Sequence, residues 1–465
     1  MKNKYEDLVK QTFDFPQDDF TTSGAELRFH GLRLMDLVEQ FGTPLKFNFL
    51  PKISENIQNC KRWFRVAMAE ENYQGKYFYC YCTKSSHFSH VIKEALKNDI
   101  YLEASSSYDL DIFRYLYDHG LVKKSHHISC NGFKPDQYLD KLAALINEGF
   151  TGVVPIIDNF HELDQLLERV KEPFKIGIRI ATEEEPKFEF YTSRLGIRYK
   201  DIIPLYLEQI RDRPQVKLDM LHFFVNTGIR DTAYYWNELH KCLRVYTELK
   251  KLCPELSSLN IGGGFPIKNS LAFEFDYEYI IGEIIHQIKT VCNENGVSEP
   301  DIYTEFGSYT VGESGGAIYK ILGQKQQNEK EKWNMIDSSF MTTLPDAWAI
   351  NRRFIMFPIN RWDSVYERVF LGGITCDSDD YYNSEQHINA IYLPKYEEDD
   401  PLYVGFFHTG AYQETVGGYG GLQHCLIPCP KHIIIDLDEL GKPVYTVYSE
   451  EQTSESVLGL LGYKS

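Results

Sequence analysis

Lys84 follows the run Tyr77-Phe-Tyr-Cys-Tyr-Cys-Thr83, and that setting opens one kind of chemistry to it. The run holds only aromatic residues, Cys and Thr, which a buried strand prefers, and it is too short for a typical helix. A lysine at the end of a buried strand has apolar walls that desolvate the ammonium and lower its pKa. It is then partly neutral, as a Schiff-base nucleophile must be. A lysine that snorkels from a strand end into water is the competing reading. Gly262-Gly263-Gly264 follows Leu259-Asn-Ile, and glycines after a strand let backbone N–H groups approach a phosphate. A plain tight turn has the same spelling. Glu305-Phe-Gly307-Ser308 sets a carboxylate beside a second glycine turn, or is a surface glutamate. Taken together the three point to pyridoxal phosphate. Lys84 forms the covalent link, and the carboxylate keeps the pyridine nitrogen protonated so that the ring draws electrons.

A second constellation lies far down the chain, in Gly373-Ile-Thr-Cys376-Asp377-Ser-Asp379-Asp380. Carboxylates beside a cysteine raise its pKa and keep it a thiol, which makes it a proton donor rather than a nucleophile. The acids suit a cationic substrate tail. A buried cysteine and a solvated acidic turn are the alternatives.

These residues need a scaffold that gathers them. Short apolar runs near 77–83, 99–104, 126–130, 152–157, 175–180, 218–225, 257–262 and 301–305 alternate with helix-period stretches. That is roughly eight strand–helix units in about 250 residues, the rhythm of a (β/α)₈ barrel, with a doubly wound open sheet as runner-up. Lys84, Glu103, Asn131, Asp158, Arg179, the His222–Thr227 cluster, Gly262–Gly264 and Glu305 all fall at or just after strand C-termini. A barrel builds its active site on that face. The expected layout is an N-terminal segment, residues 1–42, with a helical start and a strand around Leu27 that joins the last domain. A barrel follows at 43–310, and a mainly antiparallel β domain at 311–465 ends in a helix near Ser454–Leu461.

Composition narrows the function classes. The net charge of −18 argues against nucleic acid as a partner and suits a cationic substrate. The start Met1-Lys-Asn-Lys-Tyr-Glu-Asp lacks the apolar stretch of a secretory signal. No run of about 18 or more apolar residues occurs, so no membrane span is expected. The ten cysteines form no metal-type CxxC pairs, so no metal site is expected and the protein reads as cytoplasmic.

Further stretches give a resemblance: Gly42-Thr-Pro-Leu, Cys130-Asn-Gly-Phe-Lys134, Leu221-His-Phe, Leu344-Pro-Asp346-Ala-Trp348, Ile374-Thr-Cys-Asp-Ser-Asp379 and Gly405-Phe-Phe-His-Thr-Gly-Ala-Tyr412-Gln-Glu414. With Gly262–Gly264 they run in order over about residues 25 to 425. The chain resembles the alanine-racemase-like barrel family of pyridoxal-phosphate decarboxylases, which act on ornithine, arginine, lysine or diaminopimelate. The likeness is closest in the biosynthetic arginine branch. It implies that Lys84 carries the cofactor, Glu305 meets the pyridine nitrogen and Arg179 lies close to the ring. The turn at Gly262, Gly263 and Gly264 and Tyr412 hold the phosphate, Cys376 donates a proton after CO₂ leaves, and Asp346 and Asp377, with Asp379 beside them, bind the substrate's distal cation. It also implies a homodimer in which Cys376 reaches into the partner's site.

The chain departs from the family pattern in places. His-Phe-His-x-Gly-Ser reads His222-Phe-Phe224-Val-Asn226-Thr227 here, so Phe224 takes the stacking position and Thr227 the phosphate-binding serine's. Glu-Pro-Gly-Arg reads Glu305-Phe-Gly307-Ser308, which removes an arginine from the phosphate. The chain is also shorter than typical arginine decarboxylases. The expected reaction is decarboxylation of a basic amino acid, L-arginine to agmatine in polyamine synthesis. Ornithine, lysine or carboxynorspermidine are alternative substrates. Diaminopimelate fits less well, because Asp377 stands where that branch has Glu. An inactive, cofactor-carrying regulatory relative is the alternative of another class.

Overall fold

The computed structural model describes residues 15–17, 19–183, 192–382 and 391–463. The chain divides into two compact units, Ser54–Pro266 with Phe275–Thr310, and Met1–Ile53 with Ile267–Glu274 and Val311–Ser465.

The first unit is a closed parallel barrel. Its strands are β1 (Tyr77–Cys82), β2 (Tyr101–Ala104), β3 (Ile128–Cys130), β4 (Val153–Ile157), β5 (Phe174–Ala181), β6 (Val216–His222), β7 (Ser258–Asn260) and β8 (Asp301–Phe306). Each pairs with the next, and β8 returns to β1 with Glu305 opposite Cys80. That pairing removes both sheet edges and sets aside the open-sheet alternative. Helices between the strands start at side-chain caps that satisfy otherwise orphaned N–H groups: Ser106, Asn159, Thr232 and Asp276 each accept from the N–H three residues on. Side chains from β1, β4, β6 and β8 fill the barrel floor with Phe78, Cys80, Val154, Ile156, Met220 and Tyr303, the Phe78 and Tyr303 rings 4.6 Å apart. Apolar residues therefore plug one end, and the polar residues stand at the other.

The second unit is built on a mixed, mainly antiparallel sheet. The long strand Gly315–Gln326 is at its centre, antiparallel to Leu45–Phe49, Lys332–Ile336 and Tyr403–Phe407. Two pairings are parallel, Lys431–Leu437 with Leu45–Phe49 and Lys332–Ile336 with Tyr366–Gly372. Phe20, Phe29, Phe47, Phe357 and Phe407 form an aromatic core on it. The chain ends in the helix Ser454–Leu460.

The expected boundaries change in two places. Leu45–Phe49, assigned to the barrel by a boundary at 42/43, is buried along its whole length between two strands of the second unit. The change of unit comes after Ile53. The strand around Leu27 lies in the second unit with the last domain, but it does not enter that unit's large sheet. It is the middle strand of a three-stranded meander, Phe20–Ser23, Glu26–Phe29 and Leu32–Arg33, because tight local turns satisfy its backbone first. Two backbone bonds tether it, Leu27 N–H to Ile359 O at 2.8 Å and Trp362 N–H to Ala25 O at 3.0 Å. The expected helical start lies outside the described residues.

Candidate active site

After β1 the chain makes one 3₁₀ turn, Thr83–Ser85, which projects Lys84 from the barrel's C-terminal end. Its Nζ donates to Glu103 Oε2 at 2.7 Å. Cys82 and Glu103 are paired in register on β1 and β2, so the carboxylate meets the lysine as the strand ends. The apolar walls expected around Lys84 are therefore corrected to an ion pair, with Glu103 fully buried and the lysine side chain 43% exposed.

From Glu103 a polar chain crosses the barrel mouth. Its Oε1 accepts from the Ser105 hydroxyl at 2.7 Å and from Asn131 Nδ2 at 3.0 Å. Asn131 Nδ2 also donates to Glu305 Oε2 at 2.9 Å, and Asn260 Nδ2 to Glu305 Oε1 at 2.7 Å. His222 Nε2 lies 3.2 Å from Glu305 Oε2. Burial pushes the Glu305 pKa up, but the charges of His222 and Lys84 and the Asn260 hydrogen bond outweigh it and hold the carboxyl at about 2. Glu305 is an anion at neutral pH.

The turn Gly262–Gly264 is compact because its neighbours leave no room for side chains. A Cβ at Gly263 would meet Glu305 O at 1.9 Å, and one at Gly264 would meet the Gly228 Cα at 2.6 Å. Gly262, at φ 69°, receives the Asn260 Oδ1 bond on its N–H at 2.9 Å. Arg179, near the end of β5, faces the Phe224 ring at 5.5 Å, and burial pulls its guanidinium below its ordinary pKa. Thr227 lies in the turn after β6, and Gly307 and Ser308 follow β8, where a Cβ at Gly307 would press on Ser85 at 3.0 Å.

The remaining predicted residues belong to the second unit. Cys376 is exposed, with its Sγ 3.7 Å from Cys425 Sγ. Asp377 Oδ2 is 3.2 Å from His424 Nε2, and Asp377 Oδ1 accepts the Asp379 N–H at 2.9 Å. Asp346 Oδ2 accepts from Arg352 Nη1 at 3.0 Å and from Gln413 Nε2 at 2.8 Å. Asp346 thus already carries a guanidinium partner. Tyr412 sits at φ 70°, a left-handed conformation uncommon for a bulky residue and often found where a site fixes the backbone.

The barrel mouth also holds polar atoms with no hydrogen-bond partner among the described residues: Arg179 Nε, Asn131 Oδ1 and His222 Nδ1. Buried groups of this kind are paired in native proteins, so the mouth is built for a polar group that supplies their partners. A model of the family described as pyridoxal-dependent decarboxylase, pyridoxal binding domain, matches residues 57–312, more than half of the chain. The chain belongs to this family. Its polar, anion-bearing barrel mouth fits pyridoxal phosphate: a lysine for the covalent link, a buried carboxylate for the ring nitrogen, and close-packed glycines for the phosphate.

The decarboxylase fold extends over nearly the whole chain. The biosynthetic arginine decarboxylase of Campylobacter jejuni superposes with a TM-score of 0.82 at 20% identity, over 96% of this chain and 89% of that one. A diaminopimelate decarboxylase from M. jannaschii gives 0.79 at 18% identity, over 95% and 97%. In sequence, the biosynthetic arginine decarboxylase of a Geobacter species is 23% identical over 80% of this chain and 77% of its own length. Biosynthetic arginine decarboxylase 2 of Synechocystis is 20% identical over 87% and 80%.

Sequence reading gave no role to three residues that the structure brings into the polar chain at the barrel mouth. Asn260 passed as part of an apolar run, although it ends β7 as His222 ends β6. Glu103 and Asn131 were noted for their position at strand ends, yet only the fold shows them linking Lys84 to Glu305.

Proposed function

We propose that this decarboxylase acts on a basic amino acid, L-arginine, releasing CO₂ and agmatine for polyamine synthesis in the cytoplasm. The buried Glu305 anion, held by Asn131 and Asn260 in the same polar chain as Lys84, carries the decarboxylase reading. The arginine reading is supported by the two sequence relatives, both named biosynthetic arginine decarboxylases and matched over 77% and 80% of their own length. The net charge of −18 supports it by drawing cationic substrates.

Pyridoxal phosphate, when bound, supplies the electron sink for the charge left behind by CO₂. Lys84 is the covalent anchor, and Glu103 and Asn131 orient it. Glu305, ionised well below neutral pH, holds a proton on the ring nitrogen. Gly262–Gly264 and Thr227 take the phosphate from the barrel side, and Tyr412 belongs to the same task. Phe224 and Arg179 flank the ring. Cys376 donates the proton that replaces CO₂ at the substrate α-carbon, and Asp377, Asp379 and Asp346 receive the distal cation. Two chains share each site in a homodimer.

An amine-product assay on purified, pyridoxal-phosphate-loaded protein tests the reading. Arginine should give agmatine, and ornithine, lysine and diaminopimelate should give little product. Cadaverine or putrescine as the main product would move the substrate to lysine or ornithine. No amine from any of the four would favour the regulatory relative.

A further inference from the structure

Of the ten cysteines, the seven in the barrel unit are buried, and so is Cys429; only Cys376 and Cys425 are exposed. Those two are 49 positions apart in sequence, yet their sulfurs stand 3.7 Å apart. The fold holds them there. Cys376 rides on the turn that starts at Gly373, and the buried Asp380 clamps that turn. Asp380 Oδ2 accepts from the Thr375 hydroxyl at 2.7 Å, and its Oδ1 accepts from the Phe340 N–H at 2.8 Å. Cys425 lies in a short turn at φ 54°, anchored on one side by the His424–Asp377 contact at 3.2 Å. On the other side, Gln423 Nε2 donates to Cys429 Sγ at 2.8 Å, which engages the third sulfur elsewhere.

We propose that Cys376 and Cys425 are a reversible oxidation site, which a hydroperoxide converts into an intrachain disulfide. The sulfurs need to close by less than about 2 Å to reach bonding distance. In the first step the thiolate of one cysteine attacks the peroxide, breaking its O–O bond, and becomes a sulfenic acid while the other half of the peroxide takes up a proton and leaves as an alcohol, or as water from hydrogen peroxide. In the second step the other thiol attacks the sulfenic sulfur, forms the S–S bond and gives up its proton to the departing hydroxide, which leaves as water. Two thiols and one hydroperoxide group thus become one disulfide, the alcohol or water derived from the peroxide, and water. A dithiol reverses the change. Cys425 provides the partner that stops oxidation at the reversible level. The consequence for activity rests on the reading of Cys376 as the proton donor, because a disulfide has no proton to give.

The test uses purified, cofactor-loaded enzyme treated with hydrogen peroxide, and the thiols are counted without denaturation. The count should fall by two, the intact mass should fall by two hydrogens, and a chymotryptic map should link Cys376 to Cys425. Chymotrypsin separates Cys425 from Cys429 by cutting after Leu426. Activity should be lost in step with the thiols and return fully with dithiothreitol. Cys425→Ser should keep its untreated activity but lose it irreversibly under peroxide. A Cys425–Cys429 link, a link between chains, or retention of both thiols would overturn the proposal. If the Cys376–Cys425 disulfide forms and activity persists, the oxidation site stands and the proton-donor role of Cys376 falls.

Discussion

Asn260 holds Glu305 and the glycine turn with one side chain, donating to Glu305 Oε1 at 2.7 Å and accepting from the Gly262 N–H at 2.9 Å. The residue proposed to meet the ring nitrogen and the turn proposed to hold the phosphate are thereby set by the same amide. Asn260→Leu removes both bonds and strands a buried carboxylate. A lost bond to a charged group costs about 1.5–3 kcal/mol, so pyridoxal phosphate should dissociate about 10- to 100-fold more readily. Fluorescence titration of the cofactor would check this, with circular dichroism to confirm the fold. An unchanged dissociation constant would mean that Asn131 and His222 suffice to place Glu305.

Lys84 should be the only residue that links covalently to the cofactor. Borohydride reduction of the loaded protein should fix the label on the peptide that carries Lys84, and Lys84→Ala should leave none. Glu103→Gln should keep the link and speed its formation, since the neutral amide no longer holds Nζ as a paired ammonium across 2.7 Å. A label on any other lysine would move the site.

Asp337 gives a prediction about stability rather than activity. It is half-buried in the second unit, where it accepts from Thr43 Oγ1 at 2.5 Å and from the Lys320 N–H at 3.0 Å. Burial raises its pKa from 3.8 to about 6, against the pull of those hydrogen bonds. A carboxyl raised in the folded state favours folding at acidic pH. That contribution is complete below about 4 and is lost as pH rises through about 6. Asp337→Asn should therefore raise the melting temperature at pH 8, by an effect on the order of 1–3 kcal/mol, and change it little at pH 4. Equal shifts at both pH values would show that packing, not charge, controls this site.

The barrel was legible because its signal is repeated: eight apolar runs separated by helix-period stretches fall on β1 to β8, and a residue able to do chemistry stands at the end of each. Leu45–Phe49 was misassigned because a short buried strand reads the same whether its neighbours are parallel barrel strands or Gly315–Gln326, and only pairing over long sequence distance decides. The same limit hid the role of Asn260. Nothing in Leu259-Asn-Ile shows that Glu305, 45 residues on, will come to lie against it. Local pattern showed where polar residues gather but not which of them touch.

Arg352 occupies the Asp346 carboxylate at 3.0 Å, so a cationic substrate tail has to compete with an internal guanidinium. Arg352→Ala should remove that competition while Gln413 still orients the carboxylate through its 2.8 Å bond. If Asp346 receives the distal cation, KM for arginine should fall about 10-fold, the worth of one charge-assisted hydrogen bond, with kcat unchanged. An unchanged KM would leave the distal cation to Asp377 and Asp379.

The proposed shared site joins a lysine of the barrel unit to a cysteine of the second unit, and subunit mixing tests it without any structure of a complex. Lys84→Ala removes the cofactor anchor, and Cys376→Ala removes the proton donor. General-acid placement typically contributes about 10²–10⁴-fold, so each variant alone should be nearly inactive. If each site takes Lys84 from one chain and Cys376 from the other, a mixed dimer has one site lacking both groups and one site intact. With random exchange of equal amounts, half the dimers are mixed and each works at one site of two. Recovered activity should then approach about a quarter of wild type. Light scattering must first show that dimers form, and differently tagged chains must copurify to show that exchange has occurred. If mixed dimers form and stay inactive, Cys376 acts within its own chain or not at all, and the shared-site reading is wrong.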